Sequence, residues 1–161
     1  MEHLKNCQHP SLGELHLKNL SLDDLPTLME IEKRSHFTPW NESHFKGSLT
    51  NAHHVVGLLQ NDQLIAYAVV SLVAGEAELL LFVIDEKYQG KGLGRLFLET
   101  LIDILQIQAS ALFLEVRAGN ILAINLYEAV GFNQVGERPK YYSTPLGRED
   151  ALVFAMDWSF L

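Results

Sequence analysis

The sequence predicts an α+β fold in which a mixed, mostly antiparallel sheet carries helices on both faces. Three β-rich runs follow one another between residues 54 and 84 with short turns between them, as in an antiparallel meander. A strand, a helix and a strand then alternate from residue 78 to residue 117, which favours a right-handed crossover between parallel strands. The length of 161 residues suits one compact domain, so we expect a single domain over residues 1–161.

The N-terminal third predicts one strand and two helices. Residues 1–13 are a polar stretch that we expect to form a loose lead, and residues 14–20 alternate polar and apolar side chains as a half-buried strand does. Ser21 and Asp24 have the spacing of a capping box, which predicts a helix through the residues that follow. Asn41 comes after a break in the chain and predicts the cap of a short second helix.

The middle of the chain predicts the meander and the crossover. The runs rich in β-branched and apolar residues lie at 54–60, 63–73 and 78–84. Asn61 and Asp62 separate the first two runs and are a hairpin signal. A long helix with an apolar face follows to about residue 106, and residues 111–117 are the strand that we expect beside 78–84 and parallel to it.

The C-terminal part predicts one more helix and two more strands. Asn120 has the chemistry of a helix N-cap, and Gly131 fits the position after the last turn, where a left-handed backbone is needed. The helix is therefore predicted over residues 121–130, and strands are predicted near 133–138 and 151–158.

The charge balance is acidic, with a formal net charge of −8. A negative surface repels phosphates, so we expect no direct binding of nucleic acid. It would attract a cationic peptide or amine. Solubility alone also accounts for such a charge, so this observation leaves both explanations open.

Other compositional features favour a cytoplasmic protein without a membrane partner. No apolar run is long enough to cross a bilayer, and the first residues lack the apolar stretch of a secretory signal. Cys7 is the only cysteine, which excludes an internal disulfide. None of the seven histidines lies three or four residues from another, and we expect no metal site.

A glycine-rich loop joins the strand at 78–84 to the long helix. In Gln89-x-x-Gly92-x-Gly94, glycines allow the backbone to approach a ligand closely, and the helix N-terminus behind them favours an anion such as a pyrophosphate. Lys91 and Arg95 could add positive charge. The spacing is neither that of a dinucleotide fold nor that of a Walker loop. A plain glycine turn remains the alternative.

Glu115 and Tyr127, which both follow this loop in the sequence, are candidates for proton transfer. Glu115 lies in an apolar strand and shares one face with Phe113 and Arg117, and a carboxylate there is costly unless it is paired or used. A structural ion pair with Arg117, or a position at the solvent-exposed end of the strand, would explain this carboxylate equally well. Tyr127 lies on the next helix, and it could equally be an aromatic residue of the core without a chemical role. Asn120 could likewise serve only as a helix cap.

Taken together, these segments resemble consecutive motifs of the GNAT superfamily of N-acetyltransferases. The similar segments lie at residues 88–95, 114–120 and 123–132. The first resembles the acyl-CoA loop of that superfamily, written Arg/Gln-x-x-Gly-x-Gly/Ala. Pro39-Trp40 with Phe45, Tyr141-Tyr142 and the segment 147–151 further resemble the RimI family of ribosomal-protein-alanine acetyltransferases, and the similarity covers roughly residues 14–157.

The resemblance implies the GNAT fold, an acetyl-CoA-dependent N-acetyltransferase and a direct attack of the acceptor amine on the thioester. It implies that Glu115 is the general base and Tyr127 the general acid, with a backbone N–H near Val83 for the oxyanion. The residues that it implies for holding acetyl-CoA are Phe82, Val83, Ile84, Gln89, Gly90, Lys91, Gly92, Leu93, Gly94, Arg95 and Asn120. The segment 81–86 departs from the Asn-Ile-Ala-Val-Asp-Pro more usual in RimI, which we expect to change the shape of the pocket.

The implied acceptor is the N-terminal alanine of a small-subunit ribosomal protein. Trp40, Tyr141 and Tyr142 are candidate walls of the peptide groove, with ordinary packing as the alternative. Another protein N-terminus, a lysine side chain or a small-molecule amine are alternative acceptors. A non-enzymatic acyl-CoA sensor and a dinucleotide-binding oxidoreductase are the alternatives from other classes. We expect a monomer or a weak dimer.

Overall fold

An eight-stranded sheet organises the part of the chain that the computed structural model describes, namely residue 1 and residues 4–160. The strands are β1 (Asn6–His9), β2 (Gly13–Asn19), β3 (His54–Gln60), β4 (Gln63–Val73), β5 (Glu76–Ile84), β6 (Ala111–Arg117), β7 (Asn133–Thr144) and β8 (Gly147–Asp157). Their order across the sheet is β1-β2-β3-β4-β5-β6-β8-β7. The sheet is mixed, because β5 and β6 pair in parallel and the other neighbours pair antiparallel. The predicted meander and crossover are confirmed.

Four α-helices cover the sheet: α1 (Leu25–Ser35), α2 (Glu42–Gly47), α3 (Leu93–Leu105) and α4 (Ile121–Val130). Successive residues of β4 show the two faces. Ala66 and Ala68 belong to the core that α3 and α4 complete, whereas Tyr67 and Val69 belong to the core that α1 and α2 complete. The expected arrangement of helices on both faces is therefore confirmed. Within the described residues, no helix is both long enough and apolar enough to cross a membrane.

The local signals of the sequence give the element boundaries. Ser21 and Asp24 form the predicted capping box, and a short 3₁₀ turn (Leu22–Asp24) leads into α1. Asn61 and Asp62 both have positive φ, as a two-residue hairpin turn between β3 and β4 requires. Gly131 ends α4 in the left-handed conformation with φ of +118°. Each signal acts within a few residues, which is why the sequence alone predicts these boundaries well.

The first thirteen residues were expected to form a loose lead; residues 2 and 3 lie outside the described residues, and the others differ from that expectation. Asn6–His9 forms β1, an edge strand that pairs antiparallel with β2 from Asn6 opposite His16 to His9 opposite Gly13. Lys5 Nζ adds an ion pair to Asp103 Oδ2 of α3 at 2.7 Å. The expectation was wrong because a short polar strand gains its stability from the edge of β2 rather than from its own sequence.

The parallel strands β5 and β6 separate halfway along their length. They pair from Glu76 opposite Ala111 to Leu79 opposite Leu114, and beyond that point β5 stays paired only with β4, and β6 only with β8. The register of β5 against β4 shifts at Leu80, which is the bulged residue between Leu79 and Leu81. A bulge bends and twists its strand. The sheet therefore opens between Leu80–Ile84 and the end of β6.

Candidate active site

The glycine-rich loop joins β5 to α3 in a backbone conformation that glycine adopts without strain. Gly90 and Gly92 both have φ of +75°, and α3 begins at Leu93, directly after Gly92. No side chain in the described chain caps this helix end, and the first bond within it joins Leu96 N–H to the Gly92 carbonyl at 3.3 Å. The N–H groups before Leu96 lie at the positive end of the helix dipole and can bind an anion such as a pyrophosphate.

Two side chains hold this loop from the protein side. Gln89 Nε2 donates to the Ile84 carbonyl at 3.0 Å, which ties the loop to the end of β5. His9 Nε2 lies 2.7 Å from the Lys91 carbonyl oxygen, and His9 is only 5% exposed. Sequence analysis missed His9. No local signal could have found it, because its partner lies 82 positions further along the chain.

The expected cations of the loop lie at the protein surface. Lys91 is exposed, and Arg95 Nε pairs with Glu99 Oε1 at 2.9 Å one turn along α3. Both members of that pair are about half exposed, so the pair contributes little to stability. Arg95 can therefore exchange Glu99 for a phosphate at small cost.

The end of β5 presents its backbone to the opening in the sheet. Phe82, Val83 and Ile84 lie beyond the last pair with β6, so alternate N–H and C=O groups on that edge have no strand beside them. The Phe82 ring stacks on Phe97 of α3 with centroids 5.4 Å apart, and Val83 is 3% exposed in the core of the opposite face. The bulky side chains of Phe82 and Val83, which depart from the RimI pattern, thus pack against the two cores, and the backbone edge is open.

Asn120 and Tyr127 lie at the start and in the body of α4. Asn120 Oδ1 accepts a hydrogen bond from Ala123 N–H at 3.3 Å, so Asn120 caps α4. Within the described structure its Nδ2 has no partner and could donate to a ligand. Tyr127 is 7% exposed and packs edge-on against Phe132 at 5.7 Å. Burial raises the pKa of the Tyr127 hydroxyl above its ordinary value, and a charge on Tyr142 would raise it further. The hydroxyl therefore stays protonated at neutral pH.

Glu115 lies on the wall of a cavity of about 530 Å³ beside the opening in the sheet. Its Oε1 forms an ion pair with Arg138 Nε of β7 at 2.6 Å, and its side chain is 18% exposed. Arg117 instead pairs with Glu149 of β8 at 3.1 Å. The structural pair between Glu115 and Arg117 is therefore not formed, and within the described chain Glu115 Oε2 has no hydrogen-bond partner.

The three residues expected to form the acceptor groove all line the same cavity as Glu115: Trp40, Tyr141 and Tyr142. The two tyrosine rings meet edge-on with centroids 5.1 Å apart. Burial, and then the charge of Glu115, raise the pKa of Tyr142 to about 12. Tyr127 and the glycine-rich loop are not part of this cavity's wall. Glu115 and these three aromatic residues thus lie at one cavity, and the glycine-rich loop lies apart from it.

Glu32 of α1 is a residue of the site that sequence analysis missed. It is fully buried, and its carboxylate accepts hydrogen bonds from the Tyr67 hydroxyl, from His36 Nδ1 and from the Trp40 backbone N–H at 3.2 Å. Burial alone would raise the pKa of Glu32, but these hydrogen bonds lower it below its ordinary value. Glu32 follows Leu28 by four residues on the buried face of α1, and a charged residue in that stripe was the available signal.

No group of three or more His, Cys, Asp or Glu side chains in the described residues lies together as a metal site would need. The arrangement has the groups for acyl transfer instead: an anion-binding loop, an open strand edge, a carboxylate in an acceptor cavity and a protonated tyrosine hydroxyl.

Comparison with known proteins gives matches over most of the chain. A model of the acetyltransferase (GNAT) family matches residues 20–132. The chain is 43% identical over 141 residues to the [Ribosomal protein bS18]-alanine N-acetyltransferase of Escherichia coli strain K12, covering 87% of this chain and 95% of that protein. It is 39% identical over 134 residues to the enzyme of the same name from Haemophilus influenzae, covering 82% of this chain and 91% of that protein.

Solved structures agree with these matches. The crystal structure of the ribosomal-protein-S18-alanine N-acetyltransferase from Escherichia coli has a TM-score of 0.86 with 40% sequence identity, and the match covers 91% of this chain and 96% of that chain. Arabidopsis thaliana NAA60 in complex with acetyl-CoA has a TM-score of 0.78 with 14% identity, covering 89% of this chain and 99% of that chain. At that identity the second likeness shows the fold alone.

Proposed function

We propose an acetyl donor, an acceptor and a pair of catalytic residues for this protein. The chain belongs to the acetyltransferase (GNAT) family and is an N-acetyltransferase, and the proposal starts from that. The proposed reaction transfers the acetyl group of acetyl-CoA to the N-terminal α-amino group of a small-subunit ribosomal protein that begins with alanine. The observation that carries the acceptor is the 43% identity over 141 residues with an enzyme named for ribosomal protein bS18 and alanine.

The donor side is built for acetyl-CoA. The N–H groups around Gly92 meet the pyrophosphate, with Lys91 and Arg95 able to add charge at the surface. The open backbone edge of Phe82–Ile84 can pair with the amide groups of the pantetheine arm as a neighbouring strand would. Asn120 Nδ2 can donate to the same arm. With these contacts, the pantetheine arm would run from the start of α3 to the point where β5 and β6 separate, and the thioester would lie at that point.

Glu115 is the proposed general base. The α-amine of a peptide has a pKa of about 8, so only about a tenth of it is free at pH 7, and a carboxylate near it is needed to collect the proton. Arg138 occupies Oε1 of Glu115, which leaves Oε2 to take the proton directly or through a water. A lysine amine, with a pKa of about 10.4, is far less often free at the same pH, which favours the α-amine as acceptor.

The bond changes balance without a covalent enzyme intermediate. The amine nitrogen bonds to the thioester carbon, a backbone N–H near Val83 stabilises the oxyanion that forms, and the carbon–sulfur bond then breaks. The thiolate of CoA leaves and takes a proton from the Tyr127 hydroxyl. Burial raises the pKa of Tyr127, so this hydroxyl is protonated when the thiolate forms, although it is a weaker acid than an exposed tyrosine. Tyr127 then regains a proton from water and Glu115 releases the proton of the amine, which restores both groups.

The acceptor side is an aromatic cavity on an acidic protein. Trp40, Tyr141 and Tyr142 line the same cavity as Glu115. Glu32 holds the Trp40 backbone and so fixes that wall. The net charge of −8 favours the approach of a basic peptide, which is typical of proteins that bind ribosomal RNA.

Mass spectrometry of acetylated products tests the acceptor. The protein is incubated with acetyl-CoA and one of three acceptors: a peptide with the N-terminal sequence of bS18, the same peptide with its α-amine formylated, and spermidine. We expect one acetyl group on the α-amine of the first peptide and none on the other acceptors. Acetylation of the formylated peptide would assign a lysine acceptor instead. If only spermidine leads to release of CoA, the acceptor is a small amine. If none of the acceptors leads to release of CoA, the result favours a non-enzymatic acyl-CoA sensor.

A further inference from the structure

His9 of β1 connects the N-terminal strand to the glycine-rich loop, and its contacts indicate which ring nitrogen accepts a hydrogen bond and which donates one. The N–H groups of Ser11 and Leu12 both point at His9 Nδ1 at 3.2 Å. A backbone N–H can only donate, so Nδ1 is the acceptor. In a neutral imidazole the proton is then on Nε2, which donates it to the Lys91 carbonyl at 2.7 Å.

This hydrogen bond sets the direction of a second group in the same peptide unit. The Lys91 carbonyl and the Gly92 N–H belong to one planar peptide bond, and in a trans peptide they point in opposite directions. No peptide bond of the described structure is cis. Because the Lys91 carbonyl points inward to His9, the Gly92 N–H points outward, where Lys91 and Gly92 are exposed to solvent.

Without His9 the orientation of this peptide unit would be weakly determined. Gly92 has φ of +75°, and a Cβ built on it would meet nothing within 4 Å. Glycine adopts positive and negative φ about equally easily, so rotation of the peptide unit between Lys91 and Gly92 is not resisted by the side chain at position 92. In the rotated form the carbonyl oxygen would point outward and repel an anion.

We propose that His9 is a positioning residue for the pyrophosphate of acetyl-CoA, because it holds the Lys91 carbonyl inward and so presents the Gly92 N–H to the phosphate oxygens. The inference rests on the proposed function of the glycine-rich loop. It gives β1 a role in donor binding, since His9 is the last residue of that strand and is held in place by the turn into β2.

Two substitutions separate the hydrogen bonds of His9. His9→Asn keeps an acceptor near the position of Nδ1 for Ser11 and Leu12 but is too short to donate to Lys91. His9→Gln keeps a donor near the position of Nε2. Lys5→Gln is the matched control on the same segment, because it removes the exposed ion pair with Asp103 and leaves His9 unchanged.

Isothermal titration with CoA measures the effect. Loss of one orienting hydrogen bond should raise the Kd of CoA by about 3- to 10-fold in His9→Asn. His9→Gln and Lys5→Gln should bind close to the unsubstituted protein. With S-acetylpantetheine, which lacks the pyrophosphate, kcat/KM of His9→Asn should be unchanged. Equal CoA binding by His9→Asn, or equal weakening with both donors, would overturn the proposal.

A measurement on the unsubstituted protein does not depend on the folding of any variant. In ¹⁵N-labelled protein, the Gly92 amide signal should move when inorganic pyrophosphate is added, and the proposal is wrong if neighbouring amides of α3 respond while Gly92 does not. If the unsubstituted protein binds neither CoA nor pyrophosphate, the proposed function of the loop fails first. The two failures are therefore distinguishable.

Discussion

Glu115→Gln is the substitution that tests the proposed chemistry most directly. It keeps the size and most of the hydrogen bonding of the side chain but removes the group that would accept the amine proton. The ion pair of Glu115 with Arg138 becomes a contact between a neutral amide and the Arg138 guanidinium, which keeps its charge. The glycine-rich loop and the β5 edge are untouched, so CoA binding should remain.

The cavity offers few substitutes for the lost base, and Glu78 is the other carboxylate on its wall. His44 and His53 also line it, but each uses a ring nitrogen locally, His44 for the Asn41 N–H at 3.1 Å and His53 for Ser48 Oγ at 2.8 Å. Removal of a positioned general base typically costs about 10²- to 10⁴-fold, and we expect kcat to fall within that range. The variant should then depend on amine that is already free. That fraction rises from about a tenth at pH 7 to about nine-tenths at pH 9, so its rate should rise roughly tenfold.

Steady-state kinetics with an alanine-starting peptide, from pH 6 to pH 9, measure both effects, and titration with CoA checks donor binding. Glu76→Gln is the matched control, because Glu76 is an exposed carboxylate at the opposite end of the β5–β6 pair and not part of the cavity's wall. The reasoning is refuted if Glu115→Gln turns over within about threefold of the unsubstituted protein at pH 7, which is far below a general-base effect.

Three further substitutions test other parts of the structure. Tyr127→Phe should lower kcat by about 10²-fold or more with unchanged Kd for CoA, since only the proton donor is lost, and a normal kcat would remove Tyr127 from that role. Gly92→Ala places a side chain at φ of +75°, which costs about 1–2 kcal/mol, so the KM of acetyl-CoA should rise while that of the peptide does not. Glu32→Gln should destabilise the fold by about 1–3 kcal/mol in urea unfolding, because the buried Tyr67 hydroxyl loses its carboxylate. The pKa of Glu32 is lower in the folded state than in the unfolded state, where it is about 4.3. The stabilisation is therefore present above that unfolded pKa and is lost as the pH falls through the folded pKa. The difference in unfolding free energy between the two proteins should disappear in acid.

The sequence predicted well what depends on neighbouring residues. Asn120 and Gly131 mark both ends of α4 because a cap and a left-handed stop each act within one turn of the helix. Asn61 and Asp62 give the β3–β4 turn for the same reason. The glycine-rich loop was found because its three glycines lie within five residues at a strand-to-helix junction.

What the sequence could not give are contacts between distant segments. A pair with Arg117, two positions along the same strand face, was one alternative for Glu115, and Glu115 instead meets Arg138 across the sheet. The side chains of a strand point to alternating faces, but which neighbouring strand supplies the partner depends on sheet order. β8 lies directly beside β6 and β7 lies outside it, an order that no local pattern encodes. The strand β1 was missed for the same reason.

The bulge at Leu80 links the donor side to the acceptor side. Leu79 and Leu114 are the last pair between β5 and β6, so Leu80 is the first residue past it on one strand and Glu115 is the first on the other. Leu80 and Glu115 both line the acceptor cavity. The proposed base therefore lies at the vertex where the strands separate. A pantetheine arm that follows the open edge of β5 toward this vertex and an amine that enters the cavity would meet beside the same carboxylate. Under the proposed function, the geometry of this one irregular strand pair would bring the two substrates together.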